Sequence, residues 1–143
     1  MRTILKSGIS ISTILCALFG FIACSSSKTA TVDVNATQFD ELIESGKVQL
    51  VDVRTENEYK EGHIKGAQHI DVLKDTFAAQ ANQKLKKKKP VAVYCRSGKR
   101  SARACKILKM SGFCKILKMS GFKTYNLLGG ILKWKSEGRS IVR

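Results

Sequence analysis

Cys95-Arg96-Ser97-Gly98-Lys99-Arg100 is the segment of this sequence best equipped for chemistry. A thiol is a weak nucleophile until it ionises, and three features of this segment favour thiolate. Gly98 lets the chain curl so that successive backbone N–H groups face inward as an anion-binding nest. The stretch that follows reads as a helix from Ser101 to Met110, which would turn its positive N-terminal end toward the sulfur. Arg96, Lys99 and Arg100 lie within five residues of Cys95. A structural core cysteine would not be ringed by three cations, so Cys95 is expected to be acidified and nucleophilic.

A nucleophile on a loop needs elements behind it to hold the loop in place. Val91-Ala92-Val93-Tyr94 runs directly into Cys95 and has the continuous apolar character of a buried strand. Strands are also expected at 31–34, 48–53, 67–70 and 123–127. Helices are expected from an N-cap at Thr37 to a stop at Gly46, over 56–60, over 71–84, and from Gly129-Gly130 through Trp134. Alternating strands and helices imply an α/β fold, a three-layer sandwich whose mostly parallel sheet of about five strands carries helices on both faces. In such sheets, sites lie beyond the carboxyl ends of the strands, where Cys95 falls.

The N-terminus belongs to a different category. Arg2 and Lys6 precede an uncharged apolar run from Ile9 to Ala23, shorter than the roughly 20 apolar residues that span a bilayer. Residues 1–23 therefore read as a signal peptide. Phe21-Ile22-Ala23-Cys24 resembles a bacterial lipobox, although Phe21 replaces the usual leucine, so residues 24–30 read as a polar tether lipidated at Cys24. A plain signal peptide or an uncleaved anchor are the alternatives. The domain itself occupies 31–143 and is expected outside the cytoplasm, anchored to a membrane and facing the periplasm.

Charge is divided unevenly along the chain. The 143 residues carry a formal net charge of +15. Residues 24–83 hold 6 basic and 10 acidic side chains, whereas 84–143 hold 18 basic and one acidic. An exported protein rarely meets nucleic acid, so no nucleic-acid partner is expected. Anionic lipid or a small anionic substrate fits better. Five cysteines without C-x-x-C spacing, and only two histidines, argue against a zinc site.

Residues 105–113 and 114–122 both read CKILKMSGF. Nine residues at 100° each make two and a half helical turns, so one uninterrupted helix would present the copies on opposite faces. The first copy is expected to form the helix tied to the Cys95 loop, stopped by Gly112. Residues 113–121 are expected to form an extra surface segment.

Three motifs in order resemble the rhodanese-type sulfurtransferases. They are Val51-Asp52-Val53-Arg54 continuing through Glu58-Tyr59 to Gly62-His63-Ile64-Lys65-Gly66-Ala67, the Cys95–Arg100 loop, and Leu128-Gly129-Gly130-Ile131 with Trp134 and Gly138. The resemblance implies a rhodanese-like fold over 31–143. It also implies that Cys95 carries the transferred sulfur as a persulfide cradled by the 96–100 amides. The expected partners are a donor such as thiosulfate and a thiol or cyanide acceptor, with no cofactor or metal. Asp52, Arg54, Glu58 and His63 match the family's first motif and are expected to support the site, with Arg54 paired to Glu58. A cysteine phosphatase or arsenate reductase is the main alternative. Those families resemble one another in a loop with five residues between Cys and Arg, whereas four separate Cys95 from Arg100 here. A catalytically idle binding domain would follow if the duplication displaced the loop.

Overall fold

The structure is a computed structural model that describes residues 31–111 and 122–143. The expected signal peptide, the tether with Cys24, Gly112, Cys114 and most of the second repeat copy lie outside the described residues.

Five strands form one parallel sheet: β1 (Thr31–Val34), β2 (Gln49–Asp52), β3 (Gln68–His69), β4 (Val91–Tyr94) and β5 (Thr124–Leu127). Their spatial order is β1-β5-β4-β2-β3, with β4 flanked by β5 and β2. The helices are α1 (Ala36–Glu44), α2 (Glu56–Glu61), α3 (Phe77–Lys84), α4 (Lys99–Met110) and α5 (Gly130–Ser136). Alternation along the strands gives the sheet two apolar faces. Val51, Val53, Val91 and Val93 pack with Phe77 and Ala81 of α3 and with Ala104, Cys105 and Leu108 of α4. Leu50, Ala92, Tyr94 and Leu127 pack on the other side with Phe39 of α1 and with Ile131 and Trp134 of α5. The three-layer α/β sandwich expected from the sequence is therefore present, and its sheet is wholly parallel.

Two helix starts differ from expectation. The first cap is Asn35, not Thr37: Asn35 Oδ1 accepts the Gln38 N–H at 2.9 Å, while Gln38 Oε1 accepts the Asn35 N–H at 3.2 Å. This reciprocal capping box starts the helix at Ala36. The helix expected over 71–84 begins only at Phe77. Asp71 Oδ1 takes the Leu73 N–H at 2.9 Å, so a local side-chain bond competes with the helical one. Leu73 is exposed and lies outside the helix.

The duplication is divided between two parts of the core. Cys105 and Leu108 from the first copy are buried in α4. Phe122, the last residue of the second copy, is fully buried in the same cluster. Its N–H donates to the Leu108 carbonyl at 3.3 Å. The first copy thus supplies the helix as expected, and α4 starts immediately after Gly98, so the duplication leaves the loop-to-helix junction intact.

Candidate active site

Cys95 follows β4 at the carboxyl end of the sheet and is almost wholly buried. The Gly98 N–H donates to Cys95 Sγ at 3.1 Å. Ser101 Oγ lies 3.4 Å from the same sulfur and 3.0 Å from the Gly98 carbonyl. Burial pushes the Cys95 thiol upward. The Ser101 hydroxyl and the Ser101, Ser97 and Gly98 amides outweigh that, holding it below its ordinary range. Acidification therefore comes from oriented hydrogen-bond donors more than from the three loop cations that the sequence brings forward. The sequence marks Ser101 only as a residue of the helix after the loop. Its position one turn into α4, on the face turned back toward the loop, is what brings its hydroxyl to the sulfur.

Two glycines make the loop possible. Gly98 has φ +95°, and a Cβ there would lie 3.3 Å from the Leu127 carbonyl and the Gly129 nitrogen. Gly130 has φ +58°, and a Cβ there would come within 2.4 Å of the Cys95 carbonyl and 2.5 Å of the Arg96 carbonyl. That close approach lets the first turn of α5 brace the loop from below. Ile131 N–H donates to Cys95 O at 2.8 Å and Leu132 N–H to Arg96 O at 3.2 Å. Two motifs distant in sequence thus form one body.

The charged residues pair differently from expectation. Arg54 binds Asp52, not Glu58: its Nε lies 3.0 Å from both Asp52 oxygens and its Nη2 2.6 Å from Oδ2. The same Nη2 donates to the Gly62 carbonyl at 2.7 Å. Two residues apart along a strand end, Asp52 and Arg54 can turn to the same side, and a buried charge needs its partner close by. Glu58 instead holds Arg100 through two bonds of 2.6 and 2.7 Å. The Arg100 guanidinium, first among its causes, holds the Glu58 carboxyl down at about 2. Glu58 Oε2 also accepts the Thr55 N–H at 3.1 Å, closing the cap of α2. Arg100 is therefore neutralised and clamps the start of α4 to α2, while Arg96 and Lys99 remain exposed on the loop.

His63 sits apart from this chemistry. Its ring stacks on Tyr59 at 3.8 Å, and its backbone bridges Val142. Of the four residues expected to support the site, Glu58 reaches the loop through Arg100, Asp52 and Arg54 pair with each other, and His63 packs on α2. Beside the loop, a depression of about 170 Å³ is lined by the cations of Arg54, Arg96 and Lys135, the carboxylates of Glu58 and Glu61, and the apolar Ile131, Leu132 and Ile141. Cys105 offers no second nucleophile in the described residues, because burial pushes its thiol up to about 12.

Known proteins resemble this chain in sequence and fold. The family profile of the rhodanese-like domain matches residues 35–137. The uncharacterized protein YqhL of Bacillus subtilis is 39% identical over 88 residues, which cover 62% of this chain and 61% of that protein. The thiosulfate sulfurtransferase GlpE of Coxiella burnetii is 32% identical over 96 residues, covering 67% of this chain and 79% of the relative. The crystal structure of a rhodanese-like domain protein from Staphylococcus aureus superposes with a TM-score of 0.61 at 28% identity, covering 78% of this chain and 99% of that one.

Proposed function

Because the chain belongs to the rhodanese-like domain family, we propose that it is a sulfurtransferase that carries a sulfane sulfur on Cys95. The observation that carries this is the convergence of the Gly98 amide and the Ser101 hydroxyl on one buried sulfur, with further support from the Ser97 and Ser101 amides. Such preorganised donors stabilise an anionic sulfur without any motion at the moment of reaction.

The Cys95 thiolate attacks the outer sulfur of a donor such as thiosulfate. A new S–S bond forms, the donor's S–S bond breaks, and sulfite leaves with the electron pair. The terminal sulfur of the resulting Cys95–S–S⁻ keeps the negative charge within reach of the loop donors. A thiolate or cyanide acceptor then attacks that sulfur, forms its own bond to it and returns Cys95 as thiolate. Arg96 and Lys135 beside the loop suit an anionic donor. Arg100, the guanidinium that would otherwise clasp a tetrahedral oxyanion, is engaged by Glu58, which disfavours phosphatase chemistry. An idle binding domain is disfavoured by the intact junction between the loop and α4.

The proposal extends to location: an exported lipoprotein held to the membrane through Cys24, acting on the periplasmic side. Its support is the signal-like residues 1–23 and the lipobox-like Phe21-Ile22-Ala23-Cys24. An intact N-terminal mass with an unmodified residue at 24 or later would overturn it.

Mass spectrometry of the protein after thiosulfate treatment tests the chemistry. One added sulfur on the Cys95 peptide, absent in Cys95→Ser, is the expected result. Hydrolysis of an aryl phosphate with no sulfur gained on Cys95 would overturn it.

A further inference from the structure

In a wholly parallel sheet every strand begins at one end and finishes at the other, and this topology sorts the charge of the chain in space. Cys95 and its loop leave the finishing end. At the starting end, Lys47, Lys89 and Lys123 come immediately or shortly before β2, β4 and β5. The helices run back against the strands, so Lys84 closes α3, and Lys106 and Lys109 lie in the last turns of α4 at that same end. Lys86 and Lys88 fill the connection into β4, pinned there by Gln49, whose side chain donates to the Lys86 and Lys89 carbonyls at 3.0 and 2.9 Å.

Seven of these eight lysines are exposed and Lys89 is half-buried. Among the described residues, none of the eight is in an ion pair, and the carboxylates nearest this end are Glu41 and Glu44 in the last turns of α1 and Asp33 of β1. Lys87 is different: it binds Asn82 and the Ser111 carbonyl and sits over the Phe122 ring. The carboxylates of the first half, including Glu56, Glu58, Glu61, Asp71 and Asp75, follow the finishing ends of β2 and β3.

The attachment of the N-terminal segment completes the picture. The chain enters the domain at Thr31, the first residue of β1, paired with Thr124 at the start of β5. Thr31 and Asp33 share an open depression with Lys106 and Lys109. Seven residues, 24–30, separate this point from the apolar run ending at Ala23, a span of at most about 25 Å. The lysine end is therefore the end nearest anything that holds the N-terminal segment.

We infer that the lysine end of the sheet is a docking surface for an anionic lipid bilayer, which turns the Cys95 loop away from the membrane. A group of exposed lysines outside any ion pair suits a surface of spread negative charge, and each lysine near such a surface shifts the equilibrium by about fivefold. The orientation rests on the membrane-anchored part of the proposed function. It does not depend on the sulfur chemistry.

The test is amine footprinting of the full chain reconstituted in vesicles of phosphatidylcholine alone or of phosphatidylcholine rich in phosphatidylglycerol. Expected is a drop of about fivefold or more in labelling of Lys84, Lys86, Lys88 and Lys123 in the anionic vesicles only, reversed by high salt. Lys74 and Lys99, at the opposite end, should label equally in both. Lys47, Lys106 and Lys109 should be protected likewise in the wild type, and in K84E/K86E/K88E/K123E these three should label equally in both vesicle types while the protein still gains sulfur from thiosulfate, which separates this inference from the catalytic one. Equal labelling in both vesicle types would overturn it, as would failure to sediment with anionic vesicles. Protection of the same lysines without lipid would overturn it in favour of contact between copies of the chain.

Discussion

Replacing Ser101 with Ala removes one donor from Cys95 and leaves the backbone donors in place. Ser101 is fully buried, and loss of its hydroxyl leaves a gap too small to disturb the loop. A hydrogen bond to a charged group contributes about 1.5–3 kcal/mol. At 3.4 Å from sulfur the low end applies, and about 1.4 kcal/mol corresponds to roughly one pH unit. The Cys95 thiol in Ser101→Ala should therefore titrate higher than in the wild type, still helped by the Ser97, Gly98 and Ser101 amides. Well below the midpoint, the thiolate fraction and the rate of persulfide formation should both fall by about tenfold. The assay is alkylation of the Cys95 peptide by iodoacetamide as a function of pH, read by mass spectrometry so that other cysteines do not interfere. Ser101→Thr keeps a hydroxyl and should retain the wild-type midpoint. An unmoved midpoint in Ser101→Ala would refute the reasoning. It would mean that the single hydroxyl proton rests on the Gly98 carbonyl at 3.0 Å and that the amides alone acidify the sulfur.

Other perturbations test the supports. Glu58→Gln should lower stability at neutral pH by about 1–2 kcal/mol, less than the full shift implies because the pair is about a quarter exposed. A carboxyl depressed on folding stabilises above its unfolded value and loses that contribution as pH falls toward 2. Urea midpoints between pH 4.5 and 2 should thus fall in the wild type and flatten in Glu58→Gln; parallel slopes would count against the clamp. Gly130→Ala forces an alanine to φ +58° and drives its Cβ into the Cys95 and Arg96 carbonyls. It should cost at least about 1–2 kcal/mol and remove most sulfur transfer, and normal turnover would show that α5 does not brace the loop. Deleting residues 113–121, which yields the same sequence as deleting 105–113, joins Gly112 directly to the buried Phe122. The bond now made by the Phe122 N–H to Leu108 O would then close a Schellman cap with glycine at the left-handed position. Excising the insertion should contribute about 1 kcal/mol and raise the melting temperature by about 4–8 °C with activity kept; loss of the fold would show the second copy to be integral.

The parts of this protein visible in sequence are those governed by local rules. The strand 91–94 is a continuous apolar run ending where Cys95 begins, and a buried parallel strand has no other way to look. Gly98 in a short cationic loop announces an inward-turned backbone, and β/α alternation leaves few topologies besides a parallel sheet. What only the tertiary structure decided was the choice of partners. Arg100 lies 42 residues from Glu58 and Arg54 four from it, so spacing favours the nearer pair. The sheet instead turns Asp52 and Arg54 to one side and carries α4 to α2, and desolvation makes each buried charge take the partner that reaches it. The Ser101 hydroxyl reaches the sulfur because the curl at Gly98 turns the first turn of α4 back over Cys95. The +17 charge of residues 84–143 was plain in the sequence, but the gathering of the lysines from the end of α3, the end of α4 and the entries to β4 and β5 at one end of the sheet was not. Strand starts and helix ends meet there only because every strand runs the same way, so a chain asymmetry becomes a surface.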